Sequence, residues 1–469
     1  MGVARNAELE AAIVEDPEAE GPYVVYADWL QGQGDPRGEL IAVQLALETA
    51  RGPRWGELRR RELQILREHA GALLGPAAAW PSDRYDWRRG FVDRLHGGLD
   101  GADAHVLAQP SLALVRAVAG VRLPAGPSSP LLAELGVQHH SLAAVLARDQ
   151  LRHVALSGVP NVHGAPEPAL VERSGLVSLA ATGVALMRLR ACAFPALERV
   201  WTSWRGTDDR AQTDLLAFVA QTPRAEVAIT LDSETEIGVL RQHREAARRI
   251  TALQILTSSG QRLLPLGNHF PSLRRLELIH DRPFSRLHID MMLPSGNQLA
   301  HLAIGTLNQW TARMLAFLPF TATFESLRLA VANAADLAGL GSGVFSSLRV
   351  LDLGFPPELT GADLRLLGPA MPHLEEVVVA ADQLRAYAES PLAARVRVLT
   401  FRDRKLRLRT DHATQLRRLT ALERVRVAGD HPTNATTIAV LASLDLPIEL
   451  VPRVSDVSAL AERRAVTGA

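Results

Sequence analysis

A short apolar pattern, Leu-x-x-Leu-x-Leu with Val, Ile or Phe allowed at the apolar places, returns about every 25 residues through most of this 469-residue chain. Clear copies are Leu151-Arg-His-Val154-Ala-Leu156, Leu273-Arg-Arg-Leu276-Glu-Leu278, Leu299-Ala-His-Leu302-Ala-Ile304 and Phe324-Glu-Ser-Leu327-Arg-Leu329. Others are Leu348-Arg-Val-Leu351-Asp-Leu353, Leu374-Glu-Glu-Val377-Val-Val379, Val396-Arg-Val-Leu399-Thr-Phe401 and Leu422-Glu-Arg-Val425-Arg-Val427. Weaker copies begin at Leu176, Leu197, Ala225, Ile250 and Pro447. Unrelated helices do not keep such a period, and a fixed period of this length is the mark of a stacked repeat array.

Each copy alternates with period two, so it reads as a short strand whose fourth and sixth positions face one way. The stretches between copies read as helix, for example Asp363-Leu-Arg-Leu-Leu-Gly-Pro and Thr437-Ile-Ala-Val-Leu-Ala-Ser-Leu. Lead-ins such as Phe194-Pro-Ala-Leu197 and Phe270-Pro-Ser-Leu273 fit a chain swinging back into the next strand. One such unit cannot bury its apolar face alone, but stacked units share a continuous core. Residues from about 90 to 452 resemble the leucine-rich-repeat family on these motifs. The resemblance implies an α/β solenoid, with parallel strands on the concave face and helices on the convex face. The Asn that commonly follows the repeat core is mostly absent: Leu353 is followed by Gly-Phe-Pro and Val427 by Ala-Gly-Asp. A dozen coils at ~4.8 Å per strand predict a length of roughly 60 Å along the solenoid axis. Residues 120–140 and 157–170 are rich in Gly and Pro and read as loop, and 453–469 lacks the pattern and reads as a cap or tail.

Residues 1–75 differ and read as a small all-α module before the solenoid of 76–452. Helices are expected over Ala7–Glu15, Pro22–Gln31, Glu39–Thr49 and Glu57–Ala70, with a turn at Gly32–Gly38. The string Tyr26-Ala-Asp-Trp-Leu-Gln-Gly-Gln-Gly-Asp-Pro-Arg-Gly-Glu39 resembles the bacterial repeat-companion domain, which precedes degenerate leucine-rich repeats. Trp87-Arg-Arg-Gly-Phe-Val-Asp93 resembles the join to the first repeat in such proteins. This resemblance implies an architecture and no reaction.

Composition narrows the function. Basic and acidic residues balance at 51 each, which removes the electrostatic case for nucleic acid or an anionic membrane. Lys405 is the single lysine, so cationic sites on this chain are guanidinium forks. The one cysteine, Cys192, excludes an intrachain disulfide or a cysteine metal cluster, and between two alanines it reads as a small core residue. No signal peptide or membrane span is read, and the expected location is the cytoplasm. His139, His140, His153 and His163, and likewise His280, Asp281, His288 and Asp290, lack a clean helical i, i+4 pair and read as loop residues. Gly32-x-Gly34-x-x-x-Gly38 and Gly339-x-Gly341-x-Gly343 lack dinucleotide-binding spacing and read as turns. No cofactor, metal or catalytic residue is expected.

Two groups are left. Asp28, Trp29, Asp35, Arg37 and Glu39 surround the turn of the helical module. Asp35 is expected to cap a helix and Arg37 to pair with Asp28 or Glu39, in a structural or docking role. The second group follows from register. Positions three, five and seven of each strand project from the concave face: Arg199, Trp201, Arg275, Glu277, His301, Arg328, Asp352, Glu376, Arg402, Arg424 and Arg426. A protein partner held on that face is the expected function. The alternatives are a regulatory or substrate-delivery subunit of a separate enzyme, an enzyme active in the N-terminal module, and, last, nucleic-acid binding by the Arg402–Arg426 end.

Overall fold

The computed structural model describes residues 4–96, 109–121, 129–138, 145, 148–157, 175–182, 189, 192–203, 213, 216–220, 222, 225–231, 239–240, 242–257, 269–280, 299–318 and 321–451. The expected tail at 453–469 lies outside them, as do His139, His140, His163, Asp281, His288 and Asp290.

Five helices open the chain: α1 (Ala7–Glu15), α2 (Gly21–Gly32), α3 (Pro36–Thr49), α4 (Gly52–Glu68) and α5 (Ala70–Leu74). Their starts follow from capping chemistry. The Asn6 side chain accepts from the amides of Glu8 and Leu9 before α1, and Asp35 accepts from the Arg37 amide before α3. Proline stands in the first turn of α2, α3 and α4, where its missing N–H costs nothing.

Among the described residues a 17-stranded sheet follows. Its strands are β1 (Tyr85–Arg88), β2 (Phe91–Leu95), β3 (Ala117–Val121), β4 (Glu134–Gln138), β5 (His153–Ser157), β6 (Ser178–Thr182), β7 (Arg199–Ser203), β8 (Glu226–Leu231) and β9 (Ile250–Thr257). They continue as β10 (Arg275–His280), β11 (His301–Leu307), β12 (Ser326–Val331), β13 (Val350–Gly354), β14 (Glu376–Val379), β15 (Val398–Phe401), β16 (Arg424–Ala428) and β17 (Ile448–Val451). β1 and β2 form an antiparallel hairpin. From β2 onward each strand pairs in parallel with the next, through to β17. The chain is thus a repeat solenoid. Leu276, Leu302, Leu327, Leu351, Val377 and Leu399 stand at successive register positions and are all buried, which is the shared core predicted by the period.

β4 and the end of β3 fall within 120–140 and correct the expectation of loop there. Val115-Arg-Ala-Val118 and Leu132-Ala-Glu-Leu135-Gly-Val137 are two further copies, with Leu132 and Leu135 fully buried. Prolines and glycines just upstream masked their alternation. The Gly339, Gly341 and Gly343 series also has a packing reason. Added Cβ atoms there would lie 3.1 Å from Ala312, 2.6 Å from Leu366 and 2.5 Å from the Ala316 carbonyl, so neighbouring coils need these glycines to approach.

The helical module locks onto the first strands. Tyr26 stacks on Trp29 at 5.9 Å and on Phe91 of β2 at 6.0 Å. Arg89 and Gly90 turn the β1–β2 hairpin with φ of 48° and 79°, as a tight hairpin turn requires. Arg89 then pairs with Glu48 of α3 at 2.7 Å and lies over the Tyr23 ring. The two motifs that resemble the repeat-companion domain and its join are therefore two halves of one contact.

The same module also meets the last repeat. Helix α4 packs on the helix Ala435–Ala442, with Gly56 directly against Ala442 and near Ile438, and Gly52 near Asp445. Arg59 of α4 donates to the Pro432 carbonyl at 3.3 Å, and Arg404 reaches Asp83 at 3.6 Å. The two ends of one uninterrupted ladder are in contact through α4 and the hairpin, so the solenoid curves through a full turn. The length of roughly 60 Å expected along the solenoid axis is therefore wrapped into a turn. The cause is a mismatch of spacings: helices pack about 8–10 Å apart and strands ~4.8 Å. With about 10 Å between the layers, each coil turns by about 20–25°, and the ladder from β2 to β17 closes on itself.

Candidate functional site

The ladder register gathers the concave-face residues into rows. Arg275, His301 and Ser326 are aligned in one row, which continues through Val350, Glu376 and Val398 to Arg424. Glu277, Ala303, Arg328, Asp352, Val378, Thr400 and Arg426 form the next, ending at Glu449 of β17. On the other half of the ladder Ser178, Arg199 and Glu226 are aligned in one row, and Ala155, Ala180, Trp201 and Ala228 in the next, which the register shift between β8 and β9 carries on to Ala252 and Arg275. Arg402 stands just beyond β15 on the same face.

These residues do not form the loose polar lining that alternation alone suggests. Asp352 is only 5% exposed because two guanidinium groups cover it: Arg328 at 3.3 Å, and Arg402 in direct contact from two strands away. Arg328 also approaches Glu277 at 3.8 Å across the small Ala303. Arg402 donates further to Gln383, whose amide reaches the Phe355 carbonyl, both at 2.8–2.9 Å. One coil later the arrangement repeats. Glu376 is buried, accepts from Thr400 at 2.6 Å and from Arg426 at 3.0 Å, and Arg426 also holds Glu449 at 2.8 Å. Arg424 pairs with Glu449 at 2.7 Å. An arginine side chain is long enough to pass over one strand, and a small or slender residue between lets it do so.

Burial opposes the charges of both acids: it pushes the Asp352 and Glu376 carboxyls above their ordinary values, against the pull of Arg402 and Arg328 on Asp352, and of Thr400 and Arg426 on Glu376. The exposed layer is the guanidinium layer, with Arg328, Arg402 and Arg426 side chains 45%, 32% and 28% exposed above acids at 6–10%.

Near the middle of the ladder the face changes. Trp201 packs over the buried Ala155 and Ala180, and Ala228 is aligned beside it. Among the described residues Arg199 makes no ion pair, and it sits in one row with His153 and Ser178. His301 is pushed down to about 4, first by burial and then by Arg275 and Arg274, so it is a neutral imidazole at pH 7. Its Nδ1 is shielded from solvent without a hydrogen-bond partner. Burial lowers the Arg275 guanidinium as well, with Glu277 and Glu226 acting against it.

The N-terminal group is not one site. Asp35 caps α3 as expected, but Arg37 is fully buried and pairs with Asp35 itself at 2.8 Å, reaching also the Ala4 carbonyl. Its expected partners lie elsewhere. Glu39 pairs with Arg61 of α4 at 2.6 Å, and Asp28 is exposed on α2. An i, i+2 pair across a cap requires the side chain to fold back over its own turn, which residue spacing does not signal. Trp29 is half-buried against Tyr26.

The residues that sequence reasoning missed are the polar ones joining both ends of the solenoid. Arg59 and Glu62 of α4 pair directly, and both are under 5% exposed. Glu62 also accepts from Gln44 of α3 at 2.7 Å, and Gln44 accepts from the Gly90 amide at 2.6 Å. Beside them His96 bonds Asp86 at 2.7 Å, and burial drives His431 toward its neutral form. No repeat motif marks these residues, and their partners are up to 373 positions away.

Cys192 is half-buried against the core. Among the described residues no group of three or more His, Cys, Asp or Glu is placed to hold a metal ion, and no helix is long and apolar enough to cross a membrane. No protein-family profile matches the chain, and no curated protein does. Among solved structures it is similar to a chain in the crystal structure of the Rad7 and Elc1 complex in yeast. That likeness has 11% identity and a TM-score of 0.40, over 95% of this chain and 98% of the other.

Proposed function

We propose that this chain is a leucine-rich-repeat protein with a repeat-companion-like N-terminal module, and that it binds a partner protein through the concave face of its solenoid. The observation that carries the reading is that Arg199, Trp201, Arg275, His301, Arg328 and Arg426 stand on one face of the parallel ladder. Arginine and tryptophan combine large contact area with planar hydrogen bonding and are frequent anchors of protein interfaces. The reading is of a binding protein without a reaction of its own, at work in the cytoplasm. Asp28, Asp35, Arg37 and Glu39 are assigned structural work in the module, because capping and ion pairing account for three of them.

The test is affinity capture from host lysate with the parent chain and an Arg199→Glu, Trp201→Ala double variant, both checked by circular dichroism. A partner held by the parent and lost by the variant supports the reading. A partner indifferent to both changes removes the concave face from it.

A further inference from the structure

We propose that the helical module is the clasp of a closed ring, and that the ring admits one amphipathic helix of a partner protein while shutting out folded domains. This rests on the concave-face reading above.

The clasp is built for close approach. A Cβ on Gly56 would lie 2.5 Å from the Cβ of Ala442, so the α4 backbone rests directly on the Ala442 methyl of the last repeat helix. The buried Arg59–Glu62–Gln44 chain then connects the Pro432 carbonyl of the last repeat to the Gly90 amide of the first hairpin. Opening this contact gives up the Arg59–Pro432 hydrogen bond and the close packing of Gly56 on Ala442 and Ile438, which the closed form keeps.

Closure sets the width of the bore. Seventeen strands at ~4.8 Å give a circumference of about 80 Å and a backbone-to-backbone diameter of about 25 Å. Side chains of about 5–6 Å on each wall leave about 13–15 Å, against about 10–12 Å for an α-helix with its side chains. A folded domain of about 100 residues, with a radius of gyration near 13 Å, does not fit.

The two walls of the bore also differ. On β5 to β8 Trp201 lies over Ala155 and Ala180 beside Ala228, an apolar stripe next to the polar row of His153, Ser178, Arg199 and Glu226. About eight coils on, at about 20–25° each, stands the opposite wall of β12 to β16. There the guanidinium groups of Arg328, Arg402 and Arg426 lie outermost, with Asp352 and Glu376 buried beneath them. A helix with an apolar side and an acidic side matches both walls at once.

The test places one cysteine in the bore, Ala303→Cys between Glu277 and Arg328, in a Cys192→Ser background. Three maleimide probes are compared: a helical peptide with Leu on one side and Glu on the other, the same peptide with Lys for Glu, and a folded domain of about 100 residues. The Glu peptide is expected to label fastest, and the domain about tenfold or more slowly, because it waits for the clasp to open. Gly56→Leu and Ala442→Leu each wedge the clasp from one side and are expected to bring the domain to within about threefold of the peptide. A domain that labels the parent as fast as the peptide overturns the closed ring, and absence of labelling by every probe overturns the open bore. A domain still excluded from folded wedge variants overturns the clasp, and equal rates for the two peptides overturn the acidic helix. Should both wedge variants unfold, the parent's peptide-to-domain ratio decides alone. Capture that depends on Arg199 and Trp201 despite fast domain labelling would leave the binding face standing and remove only the ring.

Discussion

Truncating Glu62 is expected to be among the most damaging single changes outside the apolar core. The carboxylate is 4% exposed, pairs with Arg59 at 3% exposure, and accepts from Gln44 at 2.7 Å. Glu62→Ala leaves the buried Arg59 guanidinium without its counter-charge, holding only the Pro432 carbonyl, and the Gln44 amide donor without its acceptor. Breaking a buried ion pair from one side costs about 3–5 kcal/mol, and most of that is the penalty on the charge left behind. Removing both charges should be far gentler: Arg59→Met with Glu62→Leu forfeits the bond to Pro432 but leaves no orphaned charge, for a net change within about 1–2 kcal/mol. Urea unfolding of the full chain and the four corners of the double-mutant cycle measures both. A coupling energy of about 2 kcal/mol or more between the two positions is expected. Should Glu62→Ala cost under about 1 kcal/mol, the pair is solvated, α4 is not seated on the last repeat, and the argument for a closed solenoid fails.

Three other perturbations test separate parts of the reasoning. Asp352→Ala strips the shared acceptor from Arg328 and Arg402 and should cost about 2–4 kcal/mol in urea unfolding, with Asp352→Asn milder; parity with a solvated surface acid would refute the covered-acid description. Gly90→Ala forces a side chain into a left-handed φ of 79° and into Ile41, so the thermal midpoint should fall by the equivalent of about 1–3 kcal/mol, whereas Gly71→Ala, with open space around it, should be neutral or stabilising. Acid should weaken the fold through His301. Its folded value lies near 4 and its ordinary value at 6.5, so the unfolded chain takes up the proton first, and the stabilisation present above pH 6.5 is lost as pH falls toward 4. Discounted for partial solvent screening this is about 1–2 kcal/mol, read from urea midpoints; His301→Gln should flatten the slope in that window, and an unchanged slope would show that His301 titrates normally.

The repeat was legible in the sequence because its cause is local and periodic. Leu276, Leu302, Leu327 and Leu351 recur at one spacing because every coil presents the same hole to the same side chain. Alternation within each strand likewise placed Arg275, Arg328 and Arg426 on one face. Capping at Asp35 was visible for a similar reason, since a cap acts within three residues. Where Gly and Pro interrupted the alternation, as before Leu132, the same rule missed two coils.

What the tertiary structure alone decided is who partners whom. Sequence spacing says that Asp352 and Arg402 share a face, but not that the arginine spans two strands to bury the acid. It gives no hint that Arg59 of α4 meets Pro432, since curvature is a sum of small rotations set by helix and strand spacings that no single coil reveals. The sequence by itself determined a solenoid and its polar face; the accumulated turn of the coils determined that its ends meet, that a helical module joins them, and that the face lies inside a ring.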